Sequence, residues 1–414
     1  MKKGSYIVAL LPFWLFVLFF KFGAGLHYTL LSTLGSQVFP VWIVGLCVGG
    51  AAFLQMLLDV PAGYLLDRFG YTRVLRISTF VFVVGATALF FGLTPITFIT
   101  TLLLAEIGWL FFGPGANAYM LSKAPAQAAG KFIGFFHTVS SAGIVLATLL
   151  LTFVIDKPPI IIAGALTILM SLAFATILFA PKETASVHVE RKSIRHTYYI
   201  RRHFIGNALS SIRKLNPVSG ILILQSFVAA LFYGSIWFSI PLAFAEGGLN
   251  SFLGWGLSIF DLAVVLLGSA LGALADKLEK RRMIFFGLLL FAIASSVIGF
   301  TLNAWFLVLG FLATAGDEMA SVSLWAWLDR LDKTHDQDGL LNGTIVLFED
   351  LGWTIGPIAA GFLFVPAGAA WTITLCAAPI FIVWILSSFL LRNHSSNPNI
   401  DPIVEIPRHA RHKS

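Results

Sequence analysis

Apolar runs long enough to cross a lipid bilayer recur from one end of this chain to the other, and few architectures accommodate that. A helix needs about 20 apolar residues to span the hydrocarbon core. Such runs fall near residues 5–33, 38–67, 73–94, 97–122, 132–155 and 158–180. After a polar gap, six more follow near 217–245, 250–276, 283–302, 303–329, 339–365 and 367–391. Only 11% of the residues are charged, against about 25% in a soluble domain. Hydrocarbon offers no partner to backbone N–H and C=O groups, so each run must bond internally as a helix. The expected fold is all-α and integral to the membrane, with twelve transmembrane helices. The first run is too long for a signal peptide and carries Lys21 in its middle, so it counts as a span.

Charge tests that count, because positive residues collect in cytoplasmic loops. With both termini cytoplasmic, all but Lys21 and Lys157 of the 27 Lys and Arg fall on the inner side. Shifting the count by one helix destroys the separation. The plasma membrane is the expected location, or the inner membrane in a bacterium. The net charge of +7 follows from this bias and from attraction to anionic lipid, and it calls for no nucleic acid. Cys47 and Cys376 lie within spans, so no disulfide framework is expected. No metal or cofactor is expected either: His188, His196 and His203 in the polar gap are too widely spaced for a compact ligand set. The chain has no G-x-x-x-x-G-K-[ST] phosphate loop, which argues against a primary pump. It also has no clustered nucleophile, base or metal set to mark an enzyme.

The polar gap, residues 181–216, divides the spans six and six. Residues 1–180 read as one six-helix bundle, 217–391 as a second, and 392–414 as a basic cytoplasmic tail. Inside the gap, "SIRHTYYIRRHFIGNALSSIRKL" (193–215) reads as a basic amphipathic helix on the inner leaflet. One segment occurs in both halves. Residues 63–76 read "GYLLDRFGYTRVLR" and residues 272–285 read "GALADKLEKRRMIF". Each has Gly, three residues, Asp and a basic cluster at the inner end of its half's second span. Such a repeat points to a transporter built from two bundles around a midplane site.

These segments resemble the signature loop of the major facilitator superfamily, G-x-x-x-D-R-x-G-R-(R/K), found between spans 2 and 3 and again between 8 and 9. The resemblance covers the whole chain and is nearest to the drug:proton antiporter branch. It implies two pseudo-symmetric bundles rocking about a cavity. Spans 1, 4, 7 and 10 would line that cavity, spans 2, 5, 8 and 11 would flank it, and spans 3, 6, 9 and 12 would face lipid. It also implies that Asp67 caps the start of span 11 and pairs with a loop arginine, locking the inner gate when the cavity faces out. Gly63, Asp67, Arg68, Gly70 and Arg73 form the first copy, with Arg76 a further loop cation; Gly272, Asp276 and Arg281 belong to the second. Tyr71 stands where the family usually has a basic residue. In "LGWTIGPIAAG" (351–361), Gly352, Gly356, Pro357 and Gly361 remove side chains from one face and allow close helix approach. The antiporters carry a similar Gly-Pro motif in span 5, where this chain lacks it.

An ionisable side chain deep in a bilayer costs about 2.5–3.5 kcal/mol on insertion scales, so each is a site candidate. Those present are Lys21 and His27 in span 1, Asp59 in span 2, Glu106 in span 4 and Asp261 in span 8. Span 10 adds Asp317 and Glu318, and span 11 adds Glu349 and Asp350. The four spans that the resemblance turns to lipid carry none. Seven acids against one lysine point to proton coupling and to a cationic or amphipathic substrate. Neighbours on a helix point about 100° apart, so one of each adjacent acid pair is expected to face the lumen. Lys21 is expected to pair with Glu106 or Asp317, and His27 is a candidate proton relay. Trp109, Phe112, Tyr233, Trp237, Trp325 and Trp327 are candidates to hold an apolar or cationic substrate. The expected function is secondary active transport of a small molecule by a monomer through alternating access, coupled to protons, with export first. Metabolite uptake, lipid flipping and a non-transporting receptor are the alternatives.

Overall fold

A computed structural model describes residues 9–124, 129–181, 217–247, 250–331 and 338–392. The regular elements among them are helical. The first half holds α1 (Leu11–Ser36), α2 (Val41–Phe69), α3 (Tyr71–Thr87), α4 (Pro95–Lys123), α5 (Ala129–Val154) and α6 (Pro159–Leu178). The second holds α7 (Pro217–Glu246), α8 (Asn250–Lys277), α9 (Lys280–Ile298), α10 (Ala304–Leu331) and a long element, Asp338–Leu390. That element turns at Gly368, whose φ of 74° lies outside the helical region, so we divide it into α11 (338–367) and α12 (369–390). Twelve helices result, as the apolar runs predict. The helix expected over 193–215 and the tail from 393 lie outside the described residues.

Chain punctuation explains the breaks. Gly70 ends α2 with a φ of 84°, a conformation that costs other residues a Cβ clash. Thr94 and Thr97 form a reciprocal cap on α4, with Pro95 just inside it. Buried hydroxyls such as those of Thr29 and Thr79 bond to carbonyls three or four residues back, which satisfies them where there is no water.

The helix pairings of one half reappear in the other. α1 packs on α5, α2 on α4, and α3 on α4 and α6; likewise α7 packs on α11, α8 on α10, and α9 on α10 and α12. Two seams, α2–α11 and α5–α8, join the bundles, with α1–α7 between them. Helices alternate in direction, so the start of α1 and the end of α12 share one side, the terminal side; the other is the distal side.

The seams close toward the distal side. A Cβ on Gly45 of α2 would lie 2.6 Å from the Pro357 carbonyl oxygen and 3.0 Å from Gly361 Cα, so only glycine permits this approach. In the other seam, a Cβ on Gly254 would lie 2.2 Å from the Thr148 carbonyl oxygen, and the Thr148 and Ser258 hydroxyls share a hydrogen bond of 2.7 Å. Tyr28 of α1 meets Trp237 of α7 edge-on at 6.4 Å. Toward the terminal side, the space beside Gly134 of α5 is open.

Candidate substrate cavity

Between the bundles lies a cavity of about 500 Å³, within the range of sites for drug-sized ligands. Its wall comes from α1, α2, α4, α5, α7, α8, α10 and α11. Among the described residues, α3, α6, α9 and α12 contribute nothing to it. The flanking helices thus share the wall with the four the resemblance implied.

The N-terminal bundle supplies Lys21 and Glu106; the C-terminal bundle supplies Asp261, Asp317, Glu318, Glu349 and Asp350. Both members of each adjacent acid pair reach the wall, contrary to the one-of-two expectation. The cavity wraps far enough around α10 and α11 to receive side chains 100° apart.

Asp317 is held by α7. Its Oδ1 accepts from Gln225 Nε2 at 2.5 Å and its Oδ2 from the Tyr233 hydroxyl at 3.1 Å. These partners, and not Lys21, are the ones that hold it. The Lys21 ammonium instead lies 4.3 Å from the Trp109 ring centroid and 5.3 Å from that of Phe112. The acid whose charge acts on it is Asp261 of the opposite bundle. Pairing with Glu106 or Asp317 is therefore not what the structure holds.

Asp59 stands off the wall and faces Asp350 across the α2–α11 seam. Glu349 and Trp353, one turn apart on α11, both line the cavity.

Several candidates lie elsewhere. His27, six residues beyond Lys21, points about 240° round the helix from it. It is 3% exposed and meets Phe82 of α3 edge-on at 5.4 Å, so it is a core residue of its bundle and not part of the cavity. Trp325 sits two turns beyond Asp317 toward the terminal side and is exposed. Phe112 and Trp327 are buried within their bundles. Trp109, Tyr233 and Trp237 do line the cavity. Sequence reasoning missed Gln225, a lone amide in "ILILQSFVAALF" that is 2% exposed. It also missed Gln55, another lone amide in an apolar run, and Tyr28 and Trp353, whose residue types are common in apolar spans and so carry no signal.

In the first signature loop, Arg76 donates to the Ile177 and Leu178 carbonyls at 3.2 and 3.0 Å. It caps the end of α6, where carbonyls lack helical partners. Arg68 donates to the Tyr64 hydroxyl at 3.5 Å. Gly63 is half-buried, and Asp67 and Arg73 are exposed at the terminal side. In the second loop, Gly272 and Asp276 lie on α8, where their side chains are outside the described ones, and Arg281 is in the first turn of α9. Its neighbour Arg282 pairs locally with Glu279 at 2.6 Å. The α11 glycines serve two faces and not one. Gly352 and Gly356 seat against the Phe227 and Leu231 carbonyls of α7, while Gly361 meets Gly45 of α2.

Two repeated six-helix bundles around a mid-depth cavity lined with ionisable groups define a secondary transporter. Residues 42–247 and 222–413 each match the Major Facilitator Superfamily, so the chain belongs to that family. It is a multi-pass membrane transporter of small molecules and not an enzyme. It is similar to an MFS-type transporter of Methanocaldococcus jannaschii, 23% identical over 354 residues, or 83% of this chain and 88% of the relative. Multidrug resistance protein 2 of Bacillus subtilis is 24% identical over 330 residues, covering 78% and 80%. The inward-open xylose transporter XylE from E. coli shares the fold, with a TM-score of 0.68 at 14% identity over 93% of this chain and 96% of that one.

Proposed function

We propose that this transporter exports amphipathic organic cations in exchange for protons, acting as a monomer in a plasma membrane or bacterial inner membrane. One observation carries the reading: the cavity wall holds Glu106, Asp261, Asp317, Glu318, Glu349 and Asp350 against a single cation, Lys21, with Trp109, Trp237 and Trp353 among its aromatic faces. Acids and ring faces both attract an organic cation. A carboxyl that has taken a proton no longer offers the charge a cation needs, so the two compete, and competition at one site yields exchange. The name of the Bacillus subtilis relative supports the same reading. With cytoplasmic termini, the mouth faces the compartment from which an exporter loads. The Asp67 loop lies on that side and locks the opposite state.

The test is proton movement in proteoliposomes holding an imposed pH gradient, with tetraphenylphosphonium, a lysolipid and an organic acid added in turn. Dissipation by the cation is expected. Dissipation by the lysolipid or the acid alone would replace export of cations with lipid flipping or metabolite uptake. Substrate equilibration that leaves the gradient untouched would remove proton coupling.

A further inference from the structure

The Lys21 ammonium occupies the position in the cavity best built to receive an organic cation. The Trp109 ring is a fixed platform there. It stands edge-on to Phe20 (5.9 Å between centroids, 84° between planes) and to Phe112 (6.2 Å, 82°). Those two rings are themselves stacked at 4.1 Å and 2°. Lys21 lies over that platform, and the root of its side chain is confined by α5: a Cβ on Gly143 would lie 2.7 Å from Lys21 Cβ.

An ammonium among six carboxyls is expected to seek one of them. Among the described residues, none closes an ion pair with Lys21. Asp261 acts on it from the opposite bundle, and His137 of α5 and Glu106 of α4 are further titratable groups on its side of the cavity. The cation–π position is therefore filled from within the protein.

We propose that Lys21 is a built-in competitor for the organic-cation subsite on Trp109, displaced by substrate and then received by Asp261. The inference rests on reading the cavity as an organic-cation site. It adds a link between binding and motion. In the empty carrier the ammonium rests on its own bundle. In the loaded carrier it bridges α1 to α8, and this contact, present in one state only, biases the bundles toward closing over the substrate.

The test is equilibrium dialysis of tetraphenylphosphonium against the purified full-length protein in detergent. Lys21→Met removes the competitor, and binding is expected to tighten about tenfold. Lys21→Gln carries the same expectation and serves if the first variant fails to fold. Lys21→Arg, which still covers the ring, is expected to bind no more tightly than the parent. Adding Trp109→Leu to Lys21→Met should erase the gain. Asp261→Asn should weaken binding in the parent, where a displaced ammonium needs a partner, more than in Lys21→Met. Parental binding with no gain in either lysine variant overturns the inference alone. Absence of binding in the parent and in every variant overturns the organic-cation reading as well.

Discussion

The two bundles share a pattern of helix contacts but not a chemistry. Toward the cavity, the N-terminal bundle presents Lys21 and Glu106 on a stack of aromatic rings, whereas the C-terminal bundle presents five acids and holds one of them, Asp317, with Gln225 and Tyr233. The repeated part is what membrane packing demands: which helix meets which, and where glycine must replace a side chain. The divergent part is what a ligand meets. In this molecule the repeat builds the hinge, and the difference between the halves builds the site.

Swapping that chemistry should have unequal effects in the two halves. Asp317→Asn removes the acid most fully engaged by its bundle, and gradient-driven cation transport in proteoliposomes should fall on the order of 100-fold or more. Gly254→Leu attacks the hinge. Its Cβ would meet the Thr148 carbonyl oxygen at 2.2 Å, so the distal side should not close, and transport should drop on the order of tenfold. A cysteine placed near Ser258 should then become reactive to a membrane-impermeant thiol reagent from the distal side; a protected cysteine would deny the closure assigned to that seam. Glu106→Gln changes the one acid that the described N-terminal half gives to the cavity wall. KM for the cation should rise about threefold with kcat unchanged, as for a group that binds substrate and transition state alike. A larger loss than in Asp317→Asn would erase the distinction between the halves. The smallest contrast is between the two loops. Arg76→Ala uncaps α6 and should lower stability by about 1–2 kcal/mol, whereas Arg282→Ala, an exposed local pair, should change it by about 0.5 kcal/mol or less. Thermal unfolding in detergent reads both.

The fold was legible because hydrocarbon imposes one rule on every span. Twelve apolar runs, the charge bias of their loops and the duplicated Gly-x-x-x-Asp segment led to the twelve helices and two halves found. Buried charge was legible for the same reason: Lys21, Glu106, Asp261, Asp317, Glu318, Glu349 and Asp350 all reach the cavity. Direction around a helix was not. His27 lies in an apolar span as Lys21 does, yet it turns into the core, and no residue type marks that turn. Partnership was not legible either. Asp59 and Asp350, which face each other across a seam, are 291 positions apart, and the Lys21–Trp109 contact depends on how α1 rotates against α4. Gln225 carried a signal, a lone amide among aliphatics, that a search confined to ionisable residues passes over.

The most direct measurement separates movement from coupling in one variant. Proteoliposomes holding Asp317→Asn are assayed twice with tetraphenylphosphonium, once for exchange of labelled against unlabelled cation at equal pH and once for accumulation driven by a pH gradient. If the acids of the C-terminal half carry the proton, exchange persists within a few-fold of the parent while gradient-driven accumulation disappears. Accumulation at the parental level would contradict that assignment and place the coupling outside Asp317.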